Sequence, residues 1–362
     1  MGRDLTRRDF VRIAGGATVL TAGGGLSALL SACGGSQSAG PVKPVEKDVS
    51  KLFDAAKKEG QVVWWTAHYE QTAAEKMAAA FKLKYPGIQV DLLRQTAQVI
   101  NTRLLQDLKA GQNTCDVFCS TDEGHYPPLK KMGALTAFTP PDLDLLPKEY
   151  QKLDPDNQYH LGAIGFVLIN YRTDKSPTPP KSWKDFSQDP QWKGKLTTGH
   201  PGFSGYVGQW VTAMLKLYGD QFLKDLKKQD PKVGRSVNDT VTDIVNGERT
   251  VGAGPDNFSL AKKALGNPID IVFPTEGPVI IPGPVGVMAK SQHPNAAQLF
   301  TNFMYSKEYS EALVSTSNYP LRADVKVPAG LPTLDKVKAI HNTLDQLAGI
   351  NETIAKWREI IG

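Results

Sequence analysis

The stretch QVVWWTAHYEQTAAEKMAAAFKLKYPGIQVDLL, residues 61–93, decides the fold because its hydrophobic period changes twice. Residues 61–66 are a short apolar run after a glycine, which is typical of a buried strand. Residues 72–85 place apolar side chains at helical spacing and end before a Pro-Gly pair. Residues 88–93 then alternate apolar and polar side chains, as a strand does. The stretch therefore predicts a β-α-β unit.

The same alternation continues and predicts an α/β protein. Residues 99–109 have helical periodicity, 115–119 form the next apolar strand, and 126–132 form a short helix. Strands that alternate with helices of this length indicate a parallel sheet. Ligands of such open sheets bind beyond the carboxyl ends of the strands. We therefore expect binding residues in the loops after two of these strands. The candidates are His68, Tyr69, Glu70, Ser120 and Thr121.

A second α/β unit follows and makes the body large enough for two domains. Its predicted elements are a crossing strand at 159–171, a strand at 194–198, a glycine-rich loop at 199–206, a helix to about residue 218, a helix ending at 246, a strand at 250–253 and a loop at 254–258. The crossing strand is expected to join the two units.

The N-terminal segment carries export signals. Thr6-Arg7-Arg8-Asp9-Phe10 is a twin-arginine motif, and the apolar run 13–32 ends at Leu30-Ser31-Ala32-Cys33, which resembles a bacterial lipobox. A transmembrane helix is the alternative, since a span needs about 20 apolar residues. The glycines and the cleavage-like end favour a signal. We predict a signal over residues 1–32, lipidation of Cys33 and a tether over 33–48, which anchor an exported protein to the outer face of the cytoplasmic membrane.

Composition excludes several classes of function. The chain has 42 basic and 37 acidic residues, a net charge of +5 that is too evenly spread to indicate nucleic acid binding. With Cys33 assigned to the lipid, only Cys115 and Cys119 remain, so we expect buried thiols and neither a disulfide framework nor a metal site. The sequence lacks a Gly-x-Ser-x-Gly elbow and a His-Glu-x-x-His helix. We therefore expect neither an enzyme nor a cofactor.

Several further segments match one family in order and spacing. They are residues 62–70 with 81–90, 115–117 with 131–135, 245–252, 273–278, and 293–297 with 306–308 and 319–322. Together they resemble the bacterial extracellular solute-binding proteins of ABC importers, in the ferric-ion, phosphonate and sugar-phosphate class. The resemblance covers the body from about residue 50 to 335.

The resemblance implies a periplasmic-binding-protein-like fold of type 2, with two α/β lobes joined by a multi-strand hinge. The implied lobe 1 comprises residues 49–160 plus about 285–335, and lobe 2 comprises 161–284 plus about 336–362. Such a protein is expected to be a monomer that captures a small solute by hinge closure. It would deliver that solute to an ABC permease in the cytoplasmic membrane.

The glycine-rich loop favours an anionic solute. A helix that begins near Ser204 or Gly205 presents free backbone N–H groups and the positive end of its dipole, which suit a phosphate, phosphonate or carboxylate. The alternative is that Ser204 is a plain N-cap residue. His68 and His200, in loops of opposite lobes, are predicted to close on one anionic group. The remaining candidates from this loop are Phe203 and Tyr206.

Iron is the first alternative solute. In ferric-binding relatives a pair of tyrosines follows the strand that resembles residues 250–253, whereas this chain has Asp-Asn-Phe at 256–258. An iron site would therefore require Tyr69, Tyr206 or Tyr319 to converge with Glu276.

Two further alternatives remain open. Asp256, Asn257 and Glu276 near the cleft would suit an amine, as in a polyamine or thiamine binder. A secreted hydrolase would instead require a nucleophile and a base within hydrogen-bond reach in the cleft.

We predict that Cys33→Ser abolishes lipidation and releases the protein from membranes, because the sulfur atom of the lipobox cysteine carries the lipid. Incorporation of radiolabelled fatty acid and sedimentation with membranes measure the two effects. Cys119→Ser, which removes a thiol of the folded body, is the control and should remain anchored. Continued labelling of Cys33→Ser would contradict the lipoprotein assignment.

Overall fold

The computed structural model describes residues 48–362, and its first elements follow the predicted order. They are α1 (Val49–Glu59), β1 (Gln61–Thr66), α2 (Gln71–Lys84), β2 (Gln89–Arg94), α3 (Ala97–Lys109), β3 (Val117–Cys119), α4 (Tyr126–Lys131) and β4 (His160–Arg172). The β-α-β prediction from residues 61–93 is confirmed. α2 ends at Lys84 because the residue before Pro86 is disfavoured in helical conformation.

The described chain after β4 contains nine further α-helices and five strands, and these strands are short or have antiparallel partners. Its elements are α5 (Trp183–Gln188), β5 (Leu196–Thr198), α6 (Gly205–Tyr218), α7 (Gln221–Lys228), β6 (Lys232–Val233), α8 (Val237–Asn246), β7 (Val251–Pro255), α9 (Asp256–Ala264), β8 (Ile269–Val272), β9 (Val279–Val287), α10 (Pro294–Phe303), α11 (Lys307–Ser315), α12 (Leu344–Ala348) and α13 (Ile350–Ile360). The start of α6 at Gly205 confirms the helix predicted after the glycine-rich loop.

The sheet is mixed, which corrects the prediction of a parallel sheet. Within residues 48–362 nine strands form one sheet in the order β2-β1-β3-β9-β4-β7-β5-β6, and β8 also pairs with β4. β1 pairs in parallel with β2 and β3, and β5 pairs in parallel with β6 and β7. The pairs that involve β4 or β9 are antiparallel. Each group of βα units is thus parallel inside, and the two groups are joined by returning strands.

β4 and β9 join the two parallel groups. Residues 279–285 of β9 pair with 160–167 of β4, while residues 285–287 continue along β3. Beyond Val167, β4 pairs with β7 and β8. Gly165 in β4 has space only for a hydrogen, because a Cβ there would overlap the Tyr206 hydroxyl of α6. Because β4 pairs with β9 in its first half and with β7 and β8 in its second half, it belongs to both groups.

The buried apolar side chains form two large clusters. The first includes Trp64, Phe81 and Phe300, and the second includes Trp183 and Trp210. A smaller cluster holds Trp65 on the other face of β1, since successive strand residues point to opposite faces. Cys115 and Cys119 are buried free thiols, as expected.

Two local predictions were wrong. Residues 254–258 are not a loop, because β7 continues to Pro255 and α9 begins directly at Asp256. Proline before the helix and an acidic side chain in its first turn are both compatible with a helix start. The strand predicted at 115–119 begins only at Val117. Asp256 and Asn257 therefore lie in a rigid first turn.

The N-terminal predictions cannot be placed in this structure. The predicted signal, Cys33 and the tether up to residue 47 lie outside the described residues. No helix within residues 48–362 is long and apolar enough to cross a membrane.

Asp116 fastens the chain after β9 to the first strands. Its Oδ2 accepts from the backbone N–H of Val63 and contacts His293 Nδ1 at 2.8 Å, while Oδ1 accepts from the Ser291 hydroxyl and from the N–H of Gln292. The side chain is buried. One carboxylate thus satisfies several donors from two distant segments.

We predict that Asp116→Ala lowers the free energy of unfolding by about 3 kcal/mol, because buried donors lose a charged acceptor. Denaturant unfolding monitored by circular dichroism measures the change. Asp91→Ala, at an exposed position in β2, should stay within about 0.5 kcal/mol of the wild type. Equal effects of the two substitutions would contradict this role of Asp116.

Candidate functional site

A small central cavity lies at the carboxyl ends of β1, β2, β3 and β7. Its lining residues are Ala67, His68, Tyr69, Glu70, Arg94, Thr96, Ala97, Thr121, Ser204, Tyr206, Ser236, Val237, Asn238, Pro255 and Asn257. Its volume is about 30 Å³. The rule that ligands bind beyond the strand ends thus agrees with the position of this cavity.

Five of the described helices begin at this cavity. The residues just before α2, α3, α6, α8 and α9 are Glu70, Thr96, Ser204, Ser236 and Pro255, and each of them lines it. Among these five, only Ser236 caps its own helix with its side chain. The first N–H groups of a helix have no partner inside the helix, and its N-terminus carries about half a positive charge. The wall of the cavity therefore has a positive potential and contains amide donors, although Asn238 N–H of α8 and Phe258 N–H of α9 already donate to Ser236 Oγ and Asn257 Oδ1.

The charged side chains of the cavity balance each other. Arg94 Nε donates to the Tyr69 carbonyl at 2.8 Å, and Arg94 Nη2 lies 3.4 Å from Glu70 Oε1. The same Glu70 oxygen accepts from the amide of Asn238 at the start of α8. Because the one acidic side chain in the wall is already paired, the positive helix termini determine the net potential of the cavity.

His68 is an uncharged acceptor in the wall. Its Nε2 lies 3.0 Å from the Ser120 carbonyl and 3.1 Å from the Pro284 carbonyl, so Nε2 carries the proton and donates to them. Nδ1 then holds a lone pair, and it has no partner among the described residues. Burial lowers the pKa of the imidazole to about 4. His68 therefore contributes an unpartnered acceptor, and no positive charge, to the described residues that line the cavity.

The tyrosines do not converge on Glu276. The Tyr69 hydroxyl donates to the Gly162 carbonyl and lies 2.8 Å from the Tyr309 hydroxyl, and the Tyr319 hydroxyl donates to Pro332. Tyr206 lines the cavity. Burial raises the pKa of the Tyr69 and Tyr206 phenols well above the ordinary value. The arrangement that an iron site was expected to require is absent from the described residues.

Glu276 lies away from the cavity, contrary to the prediction. Its carboxylate accepts from the backbone N–H of Trp183 and Lys184 at the start of α5 and from the Tyr218 hydroxyl. A carboxylate at a helix N-terminus satisfies donors that the helix itself leaves free. Glu276 therefore has a structural role there.

His200 and Phe203 also lie outside the cavity wall. His200 Nδ1 accepts from the Gly202 N–H, and its ring lies 6.1 Å from that of Trp357 in α13. Phe203 packs under the guanidinium of Arg235 at 4.9 Å. The predicted closure of His68 and His200 on one group is thus wrong, because the two rings contact different parts of the molecule.

Asp256 and Gly205 lie behind the wall. Asp256 is fully buried, and its Oδ1 accepts from the N–H of Phe166 in β4 at 3.0 Å. Burial raises the pKa of this carboxyl to about 7. A Cβ on Gly205 would lie 2.8 Å from the Thr121 carbonyl, so this glycine allows α6 to approach the loop after β3. Both residues support the wall and do not line the cavity.

Ser120 takes part in a hydrogen-bonded chain that resembles a hydrolytic triad. Its Oγ lies 2.8 Å from His125 Nδ1, and His125 Nε2 lies 3.3 Å from Asp122 Oδ2. The Ser120 hydroxyl also accepts from the N–H of Asp122, and both residues are completely buried. A substrate cannot reach a nucleophile in this position. These hydrogen bonds therefore stabilise the loop after β3.

Four polar residues of the wall were missed by the sequence analysis: Arg94, Thr96, Ser236 and Asn238. Arg94 ends β2, so the rule that selected the loops after β1 and β3 applies equally to it. Ser236 is followed three residues later by Asp239, and the two form a capping box. These signals mark a strand end and a helix start, and both are visible in the sequence.

Solved structures share this architecture. The periplasmic binding protein AfuA from Actinobacillus pleuropneumoniae, with exogenous fructose-6-phosphate bound, superposes with a TM-score of 0.75 at 21% identity, covering 83% of this chain and 98% of that chain. Iron-bound HitA from Pseudomonas aeruginosa superposes with a TM-score of 0.70 at 20% identity, covering 83% and 99%. At these identities the likeness establishes the fold, which is that of the type 2 periplasmic binding proteins.

The chain belongs to the bacterial extracellular solute-binding protein family, whose model matches residues 112–342. This assignment confirms the prediction of a binding protein rather than an enzyme. The chain is also 26% identical over 197 residues to the spermidine/putrescine-binding periplasmic protein of Escherichia coli, which is 51% of this chain and 55% of the relative. The chain spans about half the length of the curated relatives it matches.

We predict that His68 stays neutral in the folded protein down to about pH 4. The unfolded chain binds this proton near pH 6.5, whereas burial lowers the folded pKa to about 4. The stability from this group is therefore complete above pH 6.5 and falls, by roughly 3 kcal/mol in all, as the pH decreases to 4.

Two measurements check this prediction. NMR titration of the His68 ring should give a midpoint well below 6, with the same ring in urea as the reference. Denaturation of the wild type and of His68→Asn between pH 7 and 4 should show the steeper loss in the wild type. A folded midpoint near 6.5 would contradict the neutral acceptor.

Proposed function

We propose that this protein is the solute receptor of an ABC importer and captures a small anionic solute. The solute would carry a phosphate, phosphonate or carboxylate group. The observation that carries the proposal is the convergence of five helix N-termini on one cavity whose acidic side chain is already paired. Amide donors at helix N-termini bind such anions without a cationic side chain. The predicted Ser204 and Thr121 and the newly found Thr96 and Ser236 add hydroxyl donors.

We propose that hinge closure forms this site. Gln209 of α6 donates to the Thr121 carbonyl, the amide of Asn238 donates to Glu70, and Asn257 Nδ2 donates to Asn318 Oδ1. These bonds link elements from the two ends of the sheet across the cavity. An open form would lose them and separate α2 and α3 from the other three helices.

The proposed lobes are residues 49–160 with about 285–335, and 161–284 with about 336–362. This division is supported by the side chains of the C-terminal part. Leu331 packs in the first apolar cluster, whereas Ile340 and Trp357 pack in the second. The chain between them would then be one of the crossings of the hinge.

The partners and the location follow from the same proposal. A family of extracellular solute-binding proteins agrees with export and with a membrane anchor at Cys33. We propose that the protein acts as a monomer and passes its solute to a permease of the cytoplasmic membrane.

A polyamine is the second candidate, because the Escherichia coli relative is named for spermidine and putrescine and Glu70 lines the cavity. The pairing of Glu70 with Arg94 and Asn238 opposes it, since a cation would have to displace both. Asp256 and Glu276, the other acidic candidates, do not line the cavity. An anion therefore agrees better with the wall.

We predict that a phosphorylated, phosphonate or carboxylate solute stabilises the protein, whereas spermidine and thiamine do not, and Fe(III)-citrate stabilises it no more than citrate alone. At 100 times its Kd, a ligand adds about 2.7 kcal/mol to the free energy of unfolding. Thermal melting against this panel, which includes fructose-6-phosphate and methylphosphonate, measures the effect. Stabilisation by iron or spermidine alone would contradict the anion site.

We also predict that Arg94→Gln weakens binding of the stabilising anion by roughly 10- to 100-fold, because it removes a charged donor and leaves the Glu70 carboxylate without its cationic partner beside the solute. Arg103→Gln is the matched control. It removes the same charge from α3, at a half-exposed side chain that stacks on Trp65 and does not line the cavity. Equal affinities of the two variants for the anion would show that Arg94 does not contribute to the site.

A further inference from the structure

The central cavity is too small for a whole organic solute. Its volume of about 30 Å³ accommodates one or two water molecules. Sites for small organic ligands usually measure about 300 to 1,000 Å³. In the form that the structure shows, the body of a solute whose charged group sits at the helix termini therefore extends out of this cavity.

A second cavity, here called the side chamber, adjoins the central one. It measures about 340 Å³, opens to solvent, and shares Glu70 and Asn257 with the central cavity. It lies between α2, α9 and the turn after α11, and its remaining wall includes Ala73, Phe258, Ala261 and Leu265. Glu70 and Asn257 therefore lie at the boundary between the two cavities.

The chemistry of the side chamber differs from that of the central cavity. Much of its wall is carbon, and Leu265 is 76% exposed. Two lysines line it, Lys76 on α2 and Lys262 on α9, with the Lys262 ammonium 5.0 Å from the centre of the Phe258 ring. Among the described residues, no acidic side chain other than the paired Glu70 lines it. The chamber suits an apolar body that ends in a negative charge.

We propose that the solute is an elongated organic anion with two negatively charged ends. One anionic group binds at the five helix termini, an apolar middle passes between Glu70 and Asn257, and the second anionic group lies near Lys76 and Lys262. This inference rests on the proposed anion-binding function, and it specifies the size and shape of the solute.

The test compares three phosphonates by isothermal titration calorimetry on the full chain. Methylphosphonate offers only the charged group, phenylphosphonate adds an apolar body, and 4-carboxyphenylphosphonate adds a second anion. Phenylphosphonate should bind about tenfold tighter than methylphosphonate, since the ring buries apolar area. The carboxylate should add about threefold, and Lys76→Gln with Lys262→Gln should remove that gain. Lys82→Gln, at an exposed position on α2 outside the chamber, should keep it.

A second variant tests the chamber by filling it. Ala261→Trp should weaken both aromatic phosphonates about tenfold and leave methylphosphonate unchanged. Ala79→Trp, on the exposed face of α2, is its control. Circular dichroism checks that the variants fold, and Phe258→Ala replaces Ala261→Trp if that variant does not.

The outcomes separate the two proposals. Equal affinity for the three phosphonates, or an Ala261→Trp protein that binds them all as the wild type does, would overturn the side chamber and leave the anion site standing. If none of the three binds and no anion of the melting panel stabilises the protein, the anion site itself fails and the inference fails with it.

Discussion

The antiparallel pairing of β4 with β9 is the constraint on which the rest of the structure depends. β4 pairs with β9 over residues 160–167 and 279–285. The last residues of β9 pair with β3 on one side, and the second half of β4 pairs with β7 on the other. The pair thus holds two parallel groups of strands in one sheet. It also sets where the carboxyl ends of both groups meet, which is where the helices that follow those strands begin.

Two buried side chains connect this pair of strands to the candidate site. Asp256 at the start of α9 accepts from the N–H of Phe166 in β4, and His68 after β1 donates to the Pro284 carbonyl in β9. Each side chain connects one wall of the cavity to one of the two joining strands. A movement of either strand would therefore shift the wall of the cavity, and the proposed hinge closure needs such a coupling.

Much of the fold could be predicted from hydrophobic periods, whereas much of the site could not. The periods of residues 61–93 located β1, α2 and β2, and the strand-end rule located His68 and Thr121 in the cavity wall. The same rule should have selected Arg94. Glu276 was misplaced because its segment caps α5, a contact between residues 93 positions apart that no local pattern encodes. The protonation state of His68 likewise depends on two carbonyls that only the folded sheet brings together.

The proposed closure would have an electrostatic cost when the site is empty. α2 and α3 follow strands of one parallel group, and α6, α8 and α9 belong to the other, so closure would bring five partial positive charges together. The hydrogen bond from Asn238 to Glu70 would favour the closed form, but the Glu70 charge is balanced by Arg94 and leaves most of the repulsion in place. An anion at the centre would offset the remainder by interacting with both sets of termini at once. A neutral or cationic solute of equal size would leave the repulsion in place. The five termini that we propose as the anion site would therefore also make closure depend on the charge of the solute.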